Sequence, residues 1–288
     1  MSQSANDDFV QRFLFDDLDI RGALVRLGPA WRSMLAGRAY APAVQRLLGE
    51  TTAVAALVGA NLKQTGRLTL QVRGHGPVRL MVVDCTSRLG IRGMALANDS
   101  AREAPLSELL GDGQLVLTLD TEIARQPYQS VVPLQGDTVA AVFEHYLAQS
   151  EQQPTSLWLA ASADYSVGLF LQQLPGAAQK DADGWDRVQH LAATVTPAEL
   201  AGLAPEELLT RLFPDETLRL FSPTPVTHDC PEDWGKAENL LRSLGREEVE
   251  SILREHGEVV LKDDICNRSY RFDADAIARL FDTPPTLH

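Results

Sequence analysis

Cysteine is scarce in this sequence, which has only Cys85, Cys230 and Cys266 among its 288 residues. We expect no secretory leader, because the first eight residues are polar and acidic, without a basic start or an apolar segment. An odd number of thiols in such a chain argues against a framework of structural disulfides. Metal binding, redox chemistry and simple burial are left as roles for the three thiols.

Long apolar runs are missing too. The longest one, Ala41 to Leu62, is interrupted by Gln45, Arg46, Glu50 and Asn61. Such interruptions are typical of a buried helix rather than of a membrane span. We therefore predict that the protein has no membrane partner and is cytoplasmic.

Basic residues are outnumbered in this chain. It has 26 Lys and Arg residues against 39 Asp and Glu residues, which gives a formal net charge of −13. A chain of this charge repels phosphate backbones, and no basic run offsets the repulsion. We therefore predict no nucleic-acid partner.

Familiar enzyme motifs are absent from the sequence. It contains neither Gly-x-Ser-x-Gly nor His-Glu-x-x-His, and the glycine-rich stretches 74–77 and 111–113 predict turns rather than phosphate loops. Cys85 has Asp84 beside it, but neighbouring residues on a strand face opposite ways, and no histidine is placed to act as a base. We interpret Cys85 as a small buried thiol. We predict no enzyme, with a thiol- or metal-dependent enzyme as the alternative.

The first 178 residues carry a mixed pattern of helix and strand. Apolar residues at helical intervals predict a long helix over Ala43 to Lys63. Strict alternation over 67–73, followed by a turn, predicts a hairpin with 78–83. Further strands are predicted at 114–119, 130–134, 157–160 and 168–174, with a helix after 137 that Asp137 can cap. Because the order is not a regular alternation of strand and helix, we predict an α+β core.

The composition changes after Pro175, where the chain becomes helical. Thr196-Pro-Ala-Glu199 has the form of a capping box with proline at the first helical position. An apolar stripe follows it at Leu208, Leu209, Leu212 and Phe213. We divide the chain into a core at 1–178, a helical linker at 179–225 and a small C-terminal domain at 226–288.

Cys230 and Cys266 are the most informative residues for chemistry. Each has a carboxylate nearby, Glu232 and Asp263, at a spacing where a second metal ligand often lies. Zinc accepts thiolates, imidazoles and carboxylates in a tetrahedral set, so these four residues can form a site, with His228 or His256 replacing a carboxylate. Two ordinary thiols in a small helical domain are the competing interpretation, because no Cys-x-x-Cys motif is complete.

Many short motifs in the same order resemble the heat-shock protein 33 (Hsp33) family. They begin with Leu48-Gly-Glu-Thr-Thr and Leu62-Lys-Gln-Thr-Gly-Arg-Leu-Thr-Leu, and continue with Asp84-Cys-Thr and Arg92-Gly-Met-Ala95. Further matches are Val131-Val-Pro-Leu-Gln-Gly136, Tyr146-Leu-Ala-Gln-Ser-Glu-Gln-Gln-Pro-Thr155, Gly168-Leu-Phe-Leu-Gln-Gln-Leu-Pro175 and Glu247-Glu-Val-Glu-Ser-Ile-Leu253. The resemblance therefore covers nearly the whole chain.

The resemblance implies an ATP-independent holdase, a chaperone that binds unfolded proteins and prevents their aggregation, often as a homodimer when active. It also implies an α+β core, a helical linker that folds on the core, and a small α+β C-terminal domain that works as a zinc-binding redox switch. The linker face that includes Leu208, Leu209, Leu212 and Phe213 is then the cover over the client-binding surface.

The switch motif departs from the family pattern. Cys-x-Cys and Cys-x-x-Cys pairs bind zinc in the family, but here Glu232 stands at the second cysteine position and Asp263 at the third. Neither family disulfide can form, and Cys230–Cys266 is the pairing that is left. Closing its loop of about 35 residues would remove roughly 4 kcal/mol of unfolded-state entropy, so oxidation should tighten the domain.

Zinc should bind this ligand set more weakly than four thiolates. We therefore expect regulation by heat, or partial activity in the reduced protein. An interaction module without a redox switch is a further alternative.

Overall fold

The computed structural model describes residues 8–62 and 64–282. Within these residues the chain forms two compact units, which divide between Asp229 and Cys230. Both contain helices and antiparallel strands, which confirms the predicted α+β class. None of the described helices combines the length and the apolar character that a membrane span requires. The predicted linker belongs to the first unit, and its boundary with a functional C-terminal domain stays a prediction.

The elements of the first unit up to residue 173 build the predicted core. In chain order they are β1 (Phe9–Phe15), β2 (Ile20–Leu27), α1 (Pro29–Leu35), α2 (Pro42–Gly59), β3 (Gly66–Arg73), β4 (Val78–Thr86), β5 (Gly90–Ala97), α3 (Leu106–Leu110), β6 (Gln114–Thr121), β7 (Tyr128–Val132), α4 (Val139–Glu151), β8 (Thr155–Ala161) and β9 (Ser166–Gln173).

The remaining elements belong to the linker segment and to the second unit. The linker segment contains α5 (Ala177–Lys180), α6 (Gly184–Ala192), α7 (Pro197–Gly202), α8 (Pro205–Leu212), β10 (Leu218–Leu220) and β11 (Thr224–Pro225), and β12 (Thr227–His228) follows. The second unit contains α9 (Trp234–Leu244), α10 (Arg246–His256), β13 (Val259–Asp263), β14 (Arg268–Phe272) and α11 (Ala274–Asp282).

Two sheets enclose helix α2 in the first unit. The first sheet has the order β10-β1-β2-β9-β8, with β11 also paired to β1, and the second has the order β12-β5-β4-β3-β6-β7. Neighbouring strands are antiparallel except for β12, which runs parallel to β5. Helix α2 is buried nearly all round because small residues such as Ala53, Ala55 and Ala56 let both sheets approach its backbone.

The structure differs from the predicted elements at several points. The segment from Phe9 to Leu27, which periodicity alone could not assign, forms the antiparallel pair β1 and β2. Strand β5 was not predicted. Asp137 is not the cap of α4, because the hydroxyl of Thr138 accepts the backbone N–H of Ala141. Helix α2 ends at Gly59, and the predicted end at Lys63 lies outside the described residues.

The linker segment is helical as predicted, but it also returns to the first sheet. The capping box at Thr196 and Glu199 is confirmed, since Thr196 accepts from the Glu199 N–H and Glu199 from that of Thr196. Strands β10 and β11, which the sequence did not suggest, both pair with β1. The linker is therefore joined to the core by backbone pairing as well as by side chains.

The second unit has a hydrophobic core of its own. Helices α9 to α11 and the β13–β14 hairpin bury eight residues together: Ala237, Leu241, Val249, Val259, Tyr270, Phe272, Ile277 and Leu280. Ile252 and Leu253 pack against this cluster, as expected for residues that hold the domain together. Leu240 and Leu244, also apolar residues of α9, are exposed to solvent.

Candidate functional site: the linker cover and the Cys230–Cys266 pair

The four predicted cover residues lie together against the first sheet. Leu208, Leu209, Leu212 and Phe213 are all buried in one cluster with the face of the sheet that points away from α2. The ring of Phe213 meets that of Phe15 edge to face at 5.0 Å between centroids. The linker therefore packs on an apolar sheet face, and its role as a removable cover stays a proposal.

A glycine shapes the sheet face beneath the linker. Gly22 lies opposite Phe13 in the pairing of β1 with β2. A Cβ atom at Gly22 would lie only 2.1 Å from the Phe13 ring, so the aromatic side chain can lie across β2 only because the neighbour is glycine. Phe13 in turn contacts Phe15 at 5.8 Å between ring centroids. The two rings form an aromatic patch under α8.

Arg26 on β2 attaches the linker by charge-assisted hydrogen bonds. Its guanidinium donates to the carbonyl oxygen of Leu200 from Nε at 3.1 Å and from Nη2 at 2.9 Å, and Nη2 also donates to the carbonyl of Leu203. The Phe9 ring lies 5.5 Å from the guanidinium carbon. Burial lowers the pKa of Arg26, and its Nη1 atom has no partner among the described residues. The guanidinium of Arg26 therefore binds the carbonyl groups at the C-terminal end of α7.

The ion pairs between the linker and the core are weak attachments. Arg219–Asp16 at 2.9 Å and Lys180–Asp19 at 2.8 Å involve partly exposed side chains that contribute little to stability. Helices α7 and α8 have only six and eight residues. Helices this short do not persist in isolation, so α7 and α8 depend on their packing against the sheet.

An open pocket of about 260 Å³ lies beside the linker, and a buried acid is part of its lining. Its lining includes Pro197 and Leu200 of α7, Leu157 of β8 and Glu50 of α2. Burial raises the pKa of Glu50 to about 7, although the nearby Arg46 acts in the opposite direction. A desolvated carboxyl group weakens the packing at this position when it is ionised.

The predicted cysteine pair lies entirely within the second unit. Cys230 and Cys266 form a disulfide, with their Cα atoms 5.6 Å apart. Cys230 precedes helix α9, and Cys266 lies in the turn between β13 and β14. The sequence separation of 36 residues makes this a long loop closure. The structure thus brings together the two cysteines that were predicted to pair.

The two predicted carboxylate ligands have other partners. Asp263 Oδ1 accepts the backbone N–H groups of Ile265 and Cys266 at 3.0 and 3.2 Å. Glu232 accepts from the indole of Trp234 at 3.2 Å and lies 3.6 Å from the guanidinium of Arg268. Across 8–62 and 64–282, no group of three or more His, Cys, Asp or Glu side chains is arranged to hold a metal ion. The residues as placed do not fit zinc.

Cys85 is placed far from reactive surroundings. Its side chain is buried in the core beside Gly59 of α2, and burial raises the pKa of its thiol to about 12. Asp84, with which it shares the strand, acts in the same direction and pairs with Arg92 at 2.9 Å. A thiol held protonated is a poor nucleophile, which argues against the thiol-enzyme alternative.

The sequence analysis missed three residues that matter to these sites. Arg26 lies in an apolar strand, Glu50 in a mostly apolar helix, and Arg268 at a strand end. A charged residue at an otherwise buried position was the available hint for the first two, since such a charge requires a partner. The partner itself was not predictable.

The comparisons with known proteins agree with these features. A family model described as Hsp33 protein matches residues 8–273. The 33 kDa chaperonin of Nitrosococcus oceani is 42% identical over 276 residues, covering 96% of this chain and 95% of that protein. The 33 kDa chaperonin of Azotobacter vinelandii is 43% identical over 281 residues, covering 95% of this chain and 94% of its own length.

The fold also matches a solved structure. The crystal structure of the 33 kDa chaperonin (heat shock protein 33 homolog) of Thermotoga maritima superposes with a TM-score of 0.81 at 22% identity. The match covers 96% of this chain and 98% of that one. Because the Hsp33 family model matches residues 8–273 and the relatives at 42% and 43% identity align over nearly their full length, the chain belongs to the Hsp33 family of chaperones.

Proposed function

We propose that this holdase chaperone binds unfolded proteins on the outward face of its first sheet, which the linker covers in the resting protein. The observation that carries the proposal is the burial of Leu208, Leu209, Leu212 and Phe213 against that face. If the linker lifts, a continuous apolar surface becomes accessible to clients. Its residues are Phe13, Phe15, Ile20, Leu24, Val167, Leu169 and Leu171.

An open apolar face of this kind suits a holdase. Apolar contacts are not directional, so one surface can bind many different unfolded chains without a sequence motif. Binding and release then need no nucleotide, which agrees with the lack of a phosphate loop in the sequence. The net charge of −13 helps to keep such a protein in solution while the face is exposed.

Heat is the trigger that we propose for opening the linker. Short helices, partly exposed ion pairs and the two desolvated groups Arg26 and Glu50 together make the linker the part of the first unit that is easiest to melt. Strands β10 and β11 contribute only three and two residues to the sheet. The central strands β2 and β9, which pair along eight residues, would remain folded beneath the linker.

Other parts of the proposed function come from the family and from the charge of the chain. A cytoplasmic location, a homodimer in the active state and the lack of nucleic-acid and membrane partners follow from the family resemblance and the charge. We also propose that the protein is not an enzyme, since Cys85 is buried and the other two cysteines are bonded to each other. Zinc binding by Cys230, Cys266, Glu232 and Asp263 would require reduction and new positions for both carboxylates.

The proposal can be tested by mapping client contacts. Photo-activatable leucine is incorporated throughout the full-length protein, which is warmed with a thermally unfolding client and then irradiated. We expect client adducts at Leu24, Leu169 and Leu171 on the outward face. Leu47 of α2 and Leu68 of β3, both buried in the core between the sheets, serve as matched internal controls.

A second readout follows the linker itself. Hydrogen exchange of the amides in 197–213 and suppression of client aggregation are measured over the same range of temperatures. The exchange rate of the linker amides and the suppression of client aggregation should rise together, because the linker must open before clients bind. Client holding at temperatures where these amides remain fully protected, or adducts confined to other surfaces, would contradict the proposal.

A further inference from the structure

The geometry points to a redox clamp in the second unit: the Cys230–Cys266 disulfide holds the unit closed, and reduction loosens it. Oxidation therefore stabilises the unit, which is the opposite of the response of a switch that unfolds on oxidation. The inference concerns the second unit alone and does not depend on where clients bind. Three observations support the inference, and each concerns contacts of the second unit that do not involve the sulfur atoms.

The first observation is that the segment carrying Cys230 is held against strand β14 by its own contacts. Arg268 donates from Nη2 to the carbonyl oxygen of Cys230 at 3.2 Å. The backbone N–H of Asp233 donates to the hydroxyl of Tyr270 at 2.9 Å. The Trp234 ring packs edge to face on Tyr270 at 5.0 Å between centroids. The strand therefore positions this cysteine before any bond forms.

The second observation concerns the turn that carries Cys266. Asp263 Oδ1 accepts the N–H groups of Ile265 and Cys266, which fixes the backbone of the turn. Asn267 completes the turn with a φ of 49°, a left-handed conformation that asparagine tolerates better than most residues. Asp263 therefore acts as a turn residue rather than a metal ligand, and its hydrogen bonds aim Cys266 at its partner.

The third observation is that the unit has no structural need for a metal. Eight buried residues from three helices and both strands form its core, with Trp234 also contacting Phe272 at 5.7 Å between ring centroids. In a unit whose folding depended on zinc, the ligand set would be its centre. Here the corresponding positions hold one disulfide and two carboxylates that bind protein groups.

The reaction that closes the clamp needs a disulfide oxidant such as glutathione disulfide. The thiolate of one cysteine attacks a glutathione sulfur, which forms a mixed disulfide and releases one glutathione thiolate. The second protein thiolate then displaces the other glutathione. Two protein thiols thus lose two protons and two electrons, and the oxidant becomes two glutathione molecules. Cys85 takes no part, because it is buried in the other unit.

Each redox state has a defined consequence for the second unit. The disulfide closes a loop of 36 residues and so restricts the unfolded chain far more than the folded one. Oxidation should therefore raise the stability of the second unit, and reduction should lower it without unfolding the core. Zinc added to the reduced protein should not restore the lost protection.

The test uses full-length protein in three states: oxidised with glutathione disulfide, reduced with a chelator present, and reduced with zinc added. Hydrogen exchange is followed for peptides within 234–272, and mass spectrometry identifies the bonded cysteines. We expect exchange in these peptides to be at least about tenfold slower in the oxidised state. Thermal melting of the second unit should shift upward by more than about 10 °C.

The variants separate the clamp from general effects of oxidation. Cys230→Ser and Cys266→Ser should each abolish the difference between the redox states, whereas Cys85→Ala should leave it intact. Trp234→Leu should slow formation of the disulfide, because Trp234 positions the Cys230 segment. If either serine variant fails to fold, the comparison between states of the wild-type protein still decides the question. Faster exchange on oxidation, or equal protection by zinc in the reduced protein, would overturn the inference.

Discussion

The guanidinium of Arg26 donates two hydrogen bonds to the carbonyl oxygen of Leu200, across 174 residues of sequence. This contact joins the core strand β2 to the last turn of the linker helix α7, where helix carbonyls lack partners within the helix. A buried cation on such carbonyls also complements the helix dipole. The linker is thus attached to the core at a defined point. When the linker opens, the buried guanidinium of Arg26 would again be hydrated by water.

Replacement of Arg26 by methionine should make the linker open more readily. The apolar side chain keeps much of the volume but leaves the Leu200 carbonyl buried without a donor, at a cost of about 1–3 kcal/mol. Amides in 197–203 should then exchange about tenfold faster, and client holding should begin at a lower temperature. Arg32→Met is the matched control, since Arg32 contacts Asp164 at an exposed position outside the linker. Unchanged exchange would show that Arg26 does not hold the linker.

Truncation of Phe213 should weaken the cover through lost packing. Phe213→Ala removes a fully buried ring from its contact with Phe15, and such changes cost about 3–5 kcal/mol. We expect the linker to melt at a lower temperature while the central sheet keeps its stability. Measurement combines calorimetry with aggregation assays over a temperature series. Phe221→Ala, at a side chain that is 43% exposed, should change stability by less than about 1 kcal/mol.

Glu50 should make stability depend on pH between about 4.5 and 7. Its carboxyl releases its proton near 7 in the folded protein but near 4.5 in the unfolded chain. The contribution of Glu50 to the free energy of unfolding is therefore fully present below pH 4.5. It is lost as the pH rises through 7, which lowers the free energy of unfolding by up to about 3 kcal/mol. Glu50→Gln should flatten this part of the curve and exceed the wild type in stability above pH 7.

Chemical denaturation at a series of pH values checks this expectation. The matched control is Glu122→Gln, because Glu122 is exposed and should leave the shape of the curve unchanged. The neighbours Arg46 and Glu103 are kept, since both act on the pKa of Glu50. An identical pH profile for wild type and Glu50→Gln would mean that the carboxyl group is hydrated in the folded protein.

Cys85 should resist alkylation in the native protein. With its pKa raised to about 12, very little of the thiol is ionised at pH 8, and the core blocks access to it. In reduced protein, a maleimide reagent should label Cys230 and Cys266 at least about a hundredfold faster. Cys85 should become reactive only in denaturant. Rapid native labelling of Cys85 would indicate an opening of the core that the structure does not contain.

Local patterns were sufficient for much of the architecture. The helical spacing around Ala53, the alternation over 67–73 and the capping box at Thr196 each predicted an element that the structure contains. Such features depend on residues within a few positions of one another, so the sequence displays them directly. The order of short motifs identified the family, and the loss of two cysteines predicted which pair could bond.

Tertiary structure alone decided the contacts that give these elements a function. Strands β1 and β2 have apolar residues on both faces, because α2 covers one side and the linker the other, and periodicity cannot identify such strands. Arg26 meets Leu200 only because the packing of the linker brings α7 over β2. Asp263 resembles a metal ligand in sequence and serves as a turn residue in space. Contacts between distant segments depend on strand register and helix packing, which short-range sequence patterns do not encode.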